Sequence, residues 1–561
     1  MGAVATTEPR PTYATHEVTN QAPALEGYNV YEADRVLGEA VAREGADWAA
    51  ERLTGLGAVC GRPDVIELGR LANENPPRLR THDRFGNRID EVEFHPAWHE
   101  LMRIGVSHGI HASPWLEPGP GAHVARGAAA MLLTQAEAGV MCPISMTYSA
   151  IPALRTQPEL ATEWEPRFTS LSYDGERLVP AADKKGALCG MGMTEKQGGS
   201  DVRANTTTAR PLNGGGPGAE YEVTGHKWFF SAPMCDAFLV LAQAEGGISC
   251  LLMPRFLPDG ERNRIRLQRL KDKLGNRSNA SSEVEFHAAW AQLVGEEGKG
   301  VRTIIEMVNH TRLDCALGSA AGMRYGTAAA INHCTQRSAF GEPLVEQPLM
   351  QNVLADLAIE SEAATISSVR LARAYDEAIA GDEQATELKR LANAVLKYWI
   401  CKRGPSHAVE ALECFGGNGY VEESGMPRMY RESPLASIWE GSGNVQALDV
   451  LRAMARTPKA LEAFFAEVDE AAGAEPRLDR FAAELRDELT DLDSIVPRAR
   501  RVVEWMALAL QGSLLVRFGD EAVADAFCAS RLDGDAGRAF GTLPKGADFE
   551  RIVERHAPAA G

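Results

Sequence analysis

Several features that mark particular classes of protein are missing from this sequence of 561 residues. No stretch of about 18 consecutive apolar residues occurs, so a membrane-spanning helix is not expected. The N-terminus lacks the charged-then-apolar pattern of a signal peptide. The ten cysteines are scattered, without a C-x-x-C pair or a Cys/His cluster, which argues against a metal site and for free thiols in a reducing compartment. The sequence therefore predicts a cytoplasmic protein that uses neither a membrane nor a metal.

Positive charge is scarce as well. The chain has 58 Lys and Arg against 77 Asp and Glu, a formal net charge of −19. Phosphates repel such a chain, so nonspecific binding of nucleic acid by the whole molecule is disfavoured. A local basic patch is not excluded by this balance.

The chain is too long for one hydrophobic core, and its texture changes along its length. Residues 1–188 read as helical with loops; within them, Asp34 to Leu53 has apolar residues at the spacing of a single helix. Residues 189–295 read as short strands. Helical periodicity returns over 296–450 and continues, with more charge, over 451–561. We therefore predict four domains with these boundaries in a mostly α fold.

The strand-rich part carries a recognisable hairpin signal. Two apolar runs, Phe238–Ala242 and Ile248–Met253, are joined by the turn-forming pair Gly246-Gly247. The alternation around Tyr221 and Phe286 is typical of strands with one buried face. These patterns predict a small antiparallel β-barrel or sandwich at the centre of the chain.

Two segments in this part suggest contacts with a planar, phosphate-bearing ligand. The segment Met191–Val202 contains Gly198-Gly199-Ser200, whose backbone amides and hydroxyl could cradle a pyrophosphate, although paired glycines mostly mark turns. About 25 residues later, Gly225–Ser231 places Trp228 and Phe229 on a strand. Taken alone, such an aromatic run is more often part of a core.

The order of these segments is informative. From roughly residue 100 to 450 the chain resembles the acyl-CoA dehydrogenase family, and it resembles most the alkylation-response (AidB) branch of that family. The motifs that carry the resemblance are Met193 to Asp201, Gly225 to Ser231, Arg337 with Phe340-Gly341, Phe415 to Tyr420, and Trp439 to Asn444. The resemblance implies a helical domain, a β-barrel and a helical bundle, with the C-terminal segment as an additional helical domain.

The resemblance also implies an FAD cofactor shared between subunits, and hence a homotetramer built as a dimer of dimers. Residues of one chain would bind the flavin ring and pyrophosphate: Met193, Thr194, Gly199, Ser200, Trp228, Phe229 and Ser231. Other residues would reach the FAD of a neighbouring subunit: Arg337, Phe340, Gly416 and Gly417. Ser442 and Asn444 would close the same site.

Glu440 matches the catalytic carboxylate of the family. The implied reaction removes the α-proton of an acyl-CoA thioester while flavin N5 accepts the β-hydride. A carboxylate in a dry pocket suits this task, because burial raises its pKa and strengthens it as a base. Without the resemblance, Glu422 and Glu423 would be equally good candidates.

Arg312 matches a family arginine on the helix that lines the substrate channel. An ordinary ion pair with Asp314 or with a glutamate is the alternative interpretation. Some family members carry their base on this helix just before the arginine. The residue there is Thr311, which favours Glu440 as the base.

Three positions depart from the family pattern and predict an altered flavin environment. Phe230 replaces a threonine near flavin N5, Glu413 replaces a glutamine at the adenosine end of the neighbour's FAD, and Pro348 replaces the residue expected beside Gln347. Transfer of electrons to the usual flavoprotein acceptor is therefore in question.

A second hypothesis is a flavoprotein that binds double-stranded DNA and protects it against alkylation. Its contacts would be two basic strips of the C-terminal segment: Arg452, Arg456 and Lys459, and Arg498, Arg500 and Arg501. Solvated helix faces explain these residues equally well, because residues 451–561 hold 15 Lys and Arg against 20 Asp and Glu. A third possibility is that this segment serves only assembly.

Overall fold

The structure is a computed structural model, and it describes residues 15–176, 178–491 and 493–558. Within this part of the chain, no helix is both long and apolar enough to cross a bilayer. All ten cysteines are free and buried. One continuous apolar core joins residues from Val30 to Val553, and a second fills the sheet and the helices that cover it.

The N-terminal part is helical, with one hairpin that the sequence interpretation missed. Its elements are α1 (Arg35–Val41), α2 (Ala50–Cys60), α3 (Pro63–Glu74), β1 (Arg78–His82), β2 (Arg88–Glu93), α4 (Pro96–Ser107), α5 (Ser113–Leu116), α6 (Ala122–Ala136), α7 (Met141–Leu154) and α8 (Pro158–Phe168). The single helix predicted from Asp34 to Leu53 is wrong. Gly45, with φ of 86°, interrupts it between α1 and α2. Helices α6 and α7 are buried on nearly all sides, as their Ala-rich and Met-rich sequences indicate.

The central part forms one seven-stranded sheet. Its strands are β3 (Cys189–Gly192), β4 (Thr208–Pro211), β5 (Glu220–Ser231), β6 (Ala237–Ala244), β7 (Gly247–Pro254), β8 (Ile265–Leu270) and β9 (Ser281–Val294). The order is β3-β5-β4-β6-β7-β9-β8, with further pairings between β3 and β6 and between β5 and β9. The predicted hairpin is confirmed: β6 pairs antiparallel with β7, Leu239 opposite Leu252.

The prediction of a wholly antiparallel barrel is wrong, because the sheet is mixed. Strand β3 runs parallel to β6 while it pairs antiparallel with β5, and β4 also meets β6 in parallel at Thr208 and Gln243. Side-chain alternation reports which face of a strand is buried, but not the direction of its neighbour. The sequence pattern therefore could not reveal these parallel pairings.

Long helices follow the sheet and form a bundle. The elements are α9 (Gly300–Gln336), β10 (Ser338–Ala339), β11 (Glu342–Pro343), α10 (Pro348–Ile379), α11 (Glu383–Glu413), α12 (Met426–Glu432) and α13 (Gly443–Arg456). Helices α9, α10 and α11 pack against one another and against α6 and α7. The small residues of α9 and α10 allow this close packing.

The C-terminal segment is helical, as predicted, and is attached to the bundle by buried ion pairs. Its helices are α14 (Pro458–Asp469), α15 (Pro476–Glu488), α16 (Ile495–Phe518), α17 (Glu521–Phe527) and α18 (Phe549–His556). Pro458 and Pro476 occupy helix first turns, where proline costs no hydrogen bond. Glu467 of α14 pairs with Arg370 of α10 and with Arg517 of α16. The segment is therefore part of the folded body.

Candidate active site

Glu440 lies in the loop of residues 438–442 that leads into α13, and its backbone conformation is unusual. Its φ is 55°, in the left-handed region, and Gly441 follows with φ of 100°. A non-glycine residue in that region costs on the order of 1–3 kcal/mol, so surrounding contacts must hold it there.

Three buried side chains donate hydrogen bonds to the carbonyls of this loop. Lys397 Nζ donates to the carbonyls on either side of Glu440, at 2.8 and 2.5 Å. Gln446 Nε2 donates to the Glu440 carbonyl at 3.0 Å and to the next carbonyl at 3.1 Å. Arg312 Nε donates to the Glu440 carbonyl at 3.0 Å. We call Lys397, Gln446 and Arg312 the carbonyl clamp, because together they fix the three successive carbonyls.

The clamp turns the carboxylate of Glu440 into an apolar cavity of about 170 Å³. A cavity of this size has room for roughly ten or more water molecules. Glu440 Oε2 is buried and has no hydrogen-bond partner among the described residues. Residues from several elements line the cavity beside it: Cys142 and Met146 of α7, Ser231 of β5, Thr311 and Cys315 of α9, and Trp439. The free carboxylate oxygen is thus available to a ligand.

The environment of Glu440 makes it a stronger base than an exposed glutamate. Burial raises the pKa of Glu440 above its ordinary value, while Thr311, Arg312 and Lys397 act in the opposite direction and limit the rise. The Thr311 hydroxyl is within reach of both the Glu440 carboxylate and the Val308 carbonyl, which is 3.0 Å away. The net result is a raised pKa, because burial outweighs the three opposing contacts.

The rival carboxylates lie elsewhere. Glu422 and Glu423 are exposed in a short turn, and neither lines the cavity. Glu422 forms a bidentate ion pair with Arg431, at 2.7 and 3.0 Å. The structure therefore favours Glu440 among the three glutamates that the sequence left open.

Arg312 lies behind the catalytic loop and does not line the cavity. Besides the Glu440 carbonyl, its guanidinium contacts Asp449 of α13, with Nη1 2.9 Å from Oδ2. Asp449 in turn accepts from Arg390 at 2.9 Å. Its ion pair is therefore with Asp449 and with neither Asp314 nor a glutamate, while its predicted role at the substrate channel stays a prediction.

One side of the cavity meets the sheet where the flavin contacts were predicted. Ser231 lines the cavity directly. Trp228 is half-buried with Lys271 Nζ 3.3 Å from its ring centroid, and Phe229 is 49% exposed. These two partly exposed rings, which precede Ser231 on the same strand, are available to a planar ring system.

The predicted phosphate-binding loop is held in place by a buried carboxylate. Glu195 is fully buried and accepts from Lys227 Nζ at 2.8 Å and from the Thr206 amide at 2.7 Å. At Gly199 an added Cβ would lie 2.3 Å from Thr194 Oγ1, so only glycine fits there. Met193 and Thr194 are half-buried and Ser200 is exposed. The loop therefore leaves its outer backbone and the Ser200 hydroxyl open to an anionic group.

A second set of predicted flavin residues lies far from this cavity. Arg337 follows the end of α9, about 39 Å along the helix from Thr311. Phe340 is fully exposed, with φ of 56°. Nothing lies within 4 Å of a Cβ added to Gly416 or Gly417. His333 stacks on Phe415 at 4.4 Å and brings these two segments together at one surface.

This second set of residues cannot reach the cavity of its own chain, because the length of α9 separates the two. An exposed phenylalanine beside open glycines instead suits contact with a second molecule. Ser442 and Asn444, at the start of α13, are exposed, and Ser442 forms no capping bond with its side chain. Their hydroxyl and amide groups are free to meet a ligand.

The three residues that depart from the family pattern differ in burial and in position. Phe230 is fully buried and packs on Phe238 at 4.3 Å, inside the sheet and away from the cavity. Its neighbour Ser231 takes the position facing the cavity instead. Glu413 is exposed at the end of α11, and Pro348 begins α10. The side chain of Phe230 is therefore directed into the core of the sheet and not toward the cavity.

The basic strips of the C-terminal segment differ in availability. Arg452, Arg456 and Lys459 are exposed near the junction of α13 and α14. In the other strip Arg498 is engaged with Glu488 and Asp491, while Arg500 and Arg501 lie over tyrosine and tryptophan rings. All three cations of the first strip are exposed, whereas in the second strip Arg500 and Arg501 are exposed and Arg498 is half-buried in its ion pairs.

Lys397, Gln446 and Glu195 were missed by sequence reasoning. A signal existed for Lys397, which interrupts the apolar run from Ala392 to Ile400, because a buried ammonium requires partners. Nothing in the local sequence identifies Glu195, since its partners Thr206 and Lys227 are distant in the chain. Gln446 lies only five and six residues from the carbonyls that it contacts, but no motif marks it.

Comparisons with known proteins agree with this geometry. Three family models match in order: the N-terminal domain of the adaptive response protein AidB (residues 20–175), the acyl-CoA dehydrogenase middle domain (190–289) and the acyl-CoA dehydrogenase C-terminal domain (298–455). The chain is 46% identical to AidB of Escherichia coli (strain K12) over 94% of its own length and 96% of that protein.

Solved structures share the fold. The chain is similar to Caenorhabditis elegans ACDH-11 in complex with C11-CoA, with a TM-score of 0.85 and 26% identity over 99% of this chain and all of that one. It is also similar to an acyl-CoA dehydrogenase complexed with FAD from Bacillus anthracis, with a TM-score of 0.63 and 18% identity over 83% and 84% of the two chains. On these sequence matches and this shared fold, the chain belongs to the acyl-CoA dehydrogenase family, in its AidB branch.

Proposed function

We propose that the chain is an FAD-dependent dehydrogenase of acyl-CoA thioesters, with Glu440 as the base that removes the α-proton. The observation that carries the proposal is the buried, unpartnered Glu440 carboxylate, held by the carbonyl clamp and directed into an apolar cavity. A largely apolar cavity in which burial raises the pKa of Glu440 suits the abstraction of a weakly acidic proton.

The residues present fit the cofactor that this family uses. Thr194, Gly199 and Ser200 would hold the pyrophosphate, while Trp228 and Ser231 would lie against the ring system. The flavin, when bound, supplies the acceptor for the β-hydride. The chain itself orients the thioester beside Glu440, excludes water with the walls of the cavity, and takes the α-proton at the Glu440 carboxylate.

The arrangement of the site also implies that the chain forms an oligomer. Arg337, Phe340, Gly416 and Gly417 would complete the FAD site of a second subunit, since their own cavity is out of reach. We therefore propose at least a dimer, and a dimer of dimers as the full assembly. The division into domains at 1–188, 189–295, 296–450 and 451–561 is part of this proposal.

The experiment that tests the activity is an anaerobic titration of the purified FAD-loaded protein with short, branched and long acyl-CoAs. We expect at least one of them to bleach the flavin absorbance. An unchanged flavin spectrum with every acyl-CoA would contradict the proposed dehydrogenase reaction, and the fold would then serve another purpose.

A second candidate function, binding of duplex DNA, is favoured by the exposed strip of Arg452, Arg456 and Lys459. No ion pair of Arg456 or Lys459 occurs in the part of the chain that the structure describes. Replacing all three by glutamine should abolish salt-dependent retention on duplex DNA if this strip is the contact. Undiminished retention of that variant would place any DNA contact elsewhere.

A further inference from the structure

Cys142 is a thiol in the wall of the cavity that contains Glu440, and the proposed proton abstraction does not use it. It is the second residue of α7 and is 7% exposed. Cys142 and Glu440 line the same cavity, together with Ser231 of β5. A ligand that enters this cavity can therefore meet a nucleophilic group as well as a base.

The surroundings of Cys142 contain groups that stabilise a thiolate. Burial raises the pKa of Cys142 to about 12 and Glu440 adds to the rise, but Lys273 and the Asn279 side chain act in the opposite direction. Lys273 Nζ donates to the Asn279 carbonyl at 2.7 Å and to the Ser281 hydroxyl at 3.2 Å, which fixes its position. A position in the first turn of a helix also favours a thiolate.

An unpartnered acceptor lies beside this thiol. Asn279 is 2% exposed, and its Oδ1 has no hydrogen-bond partner among the described residues. Its side chain is within hydrogen-bonding reach of Cys142. A buried polar atom without a partner is costly, so this part of the wall is suited to a ligand that supplies a donor.

Cys315 is a second thiol in the same cavity, and its surroundings differ. It is 5% exposed and lies within α9, away from either end of the helix. Burial raises the pKa of Cys315 well above its ordinary value, and Lys397, which opposes this rise, is already engaged with the carbonyls of the loop. Cys142 is therefore the better placed nucleophile of the two.

The product of the proposed reaction is a target for a thiol. Removal of the α-proton and the β-hydride leaves a double bond that is conjugated with the thioester carbonyl. Conjugation makes the β-carbon of this 2-enoyl thioester electrophilic. A thiol attacks such a carbon as the thiolate, so a thiol that is protonated at neutral pH requires a base.

We propose that Cys142 adds to the β-carbon of 2-enoyl-CoA thioesters in this cavity, with Glu440 as the group that carries the proton. The proposal rests on the proposed function, which places the thioester α-carbon beside Glu440. The S–H bond of Cys142 breaks, its proton passes to the Glu440 carboxylate, and the sulfur electron pair forms a C–S bond at the β-carbon. The π electrons of the double bond move to the α-carbon, which takes the proton from Glu440. The sum is one S–H added across one C=C bond, so no oxidant or reductant is consumed.

The test is covalent capture of a 2-enoyl-CoA by the FAD-loaded protein. The protein is incubated with trans-2-butenoyl-CoA or trans-2-decenoyl-CoA and quenched in acid. Intact-protein and peptide mass spectrometry then measure the adduct and locate it. The variants are Cys142→Ser, Glu440→Gln and, as the matched control from the same cavity, Cys315→Ser.

We expect the wild type and Cys315→Ser to gain the mass of one enoyl-CoA per chain, located on Cys142. The adduct should be lost in Cys142→Ser. In Glu440→Gln it should form at least about a hundredfold more slowly, because the base is removed. If Cys142→Ser does not retain FAD, Cys142→Ala replaces it and should give the same loss.

Failure of this inference and failure of the proposed function give different results. No adduct on the wild type, an adduct that persists in Cys142→Ser, or equal rates in Glu440→Gln and the wild type would overturn the inference. Bleaching of the flavin by a saturated acyl-CoA would show that the dehydrogenase proposal stands in each of these cases. An adduct on Cys142 without any such bleaching would instead support capture by Cys142 and contradict the dehydrogenase reaction.

Discussion

Lys397 is the residue whose position says most about how the site is built. It is 1% exposed, yet it forms no buried ion pair among the described residues and instead donates to two carbonyls of the catalytic loop. Leaving water is costly for an ammonium group, so these bonds must be well made. In return they hold Glu440 in a conformation that its own backbone disfavours.

We predict that Lys397→Met lowers the rate of flavin reduction on the order of a hundredfold, because a displacement of the base by about 1 Å can have that effect. The variant should retain FAD and show faster amide hydrogen exchange across residues 438–442. Lys402→Met is the control, since Lys402 is exposed on the same helix. Unchanged exchange in the loop together with a normal reduction rate would mean that Lys397 does not position Glu440.

Thr311 gives a prediction about pH. The base must be ionised to act, and burial has raised the pKa of Glu440 while the Thr311 hydrogen bond lowers it. The reduction rate should therefore fall as pH drops through this raised pKa. Thr311→Val removes the lowering contact, so its profile should move to higher pH.

The measurement is single-turnover flavin reduction as a function of pH. Thr303→Val serves as the control, because the Thr303 hydroxyl donates to the Lys299 carbonyl on the same helix. An identical profile for Thr311→Val and the wild type would remove Thr311 from the account of the base.

Sequence motifs indicated the proposed base but not the residues that support it. Glu440 could be proposed because it stands within a short contiguous motif. The role of Lys397 could not be read from the sequence, because it depends on carbonyls in a loop that is distant from Lys397 in the chain. Gln446 donates to carbonyls of the same loop. Arg312 was assigned to the channel for the same reason: its position on α9 was correct, but the direction of its side chain is set by Asp449.

At the scale of elements, the sequence predicted the helices better than the sheet. The helical periodicity predicted over 296–450 is found in the long helices α9, α10 and α11. Gly45 interrupts the helix although the apolar spacing continues on both sides of it. The periodicity of the sequence therefore does not reveal the interruption. The parallel partners of β6 depend on how distant segments pack, so no local pattern encodes them.

Helix α14 is held to the bundle by a buried carboxylate. Glu467 accepts from Arg370 Nη2 at 2.7 Å and from Arg517 Nη1 at 2.8 Å. Burial would raise its pKa, but the two arginines outweigh burial and lower the pKa below its ordinary value. Its contribution to stability is therefore present at neutral pH and is lost as pH falls into the acidic range.

We predict that Glu467→Gln destabilises the protein by about 2–3 kcal/mol, because it leaves two partly buried arginines without this carboxylate. A lowered Tm in thermal unfolding at pH 7 would show this loss, and the difference from the wild type should shrink at acidic pH. Asp469→Asn is the matched control on α14, since its pair with Arg486 is exposed and worth at most about 1 kcal/mol. Equal Tm values for Glu467→Gln and the control would show that the buried contacts do not hold α14.

At the scale of the whole molecule, we propose that one chain contributes to two different FAD sites. The helix α9 separates them, with Thr311 beside the cavity and Arg337 beyond its last turn. Because α9 is continuous, no rearrangement of loops could bring Arg337 to the base of its own chain. The assembly is thus part of the proposed site.

Arg337→Ala should therefore lose FAD while the isolated fold stays intact. The reason is that the arginine would supply a charge-assisted contact to the pyrophosphate of a neighbour's cofactor. Flavin content per chain and sedimentation measure both parts of this prediction. A stable, assembled Arg337→Ala protein with full FAD content would contradict the assignment across subunits.

The central claim is that Glu440 is the base, and Glu440→Gln tests it most directly. The amide keeps the shape of the side chain but cannot take a proton, and loss of a general base typically costs a hundredfold to ten-thousandfold, roughly. With an acyl-CoA that reduces the wild type, we predict FAD-loaded Glu440→Gln protein whose flavin is reduced slower by that factor, while Glu422→Gln and Glu423→Gln behave as the wild type. Flavin reduction by Glu440→Gln at the wild-type rate would contradict the account and assign the proton to another residue.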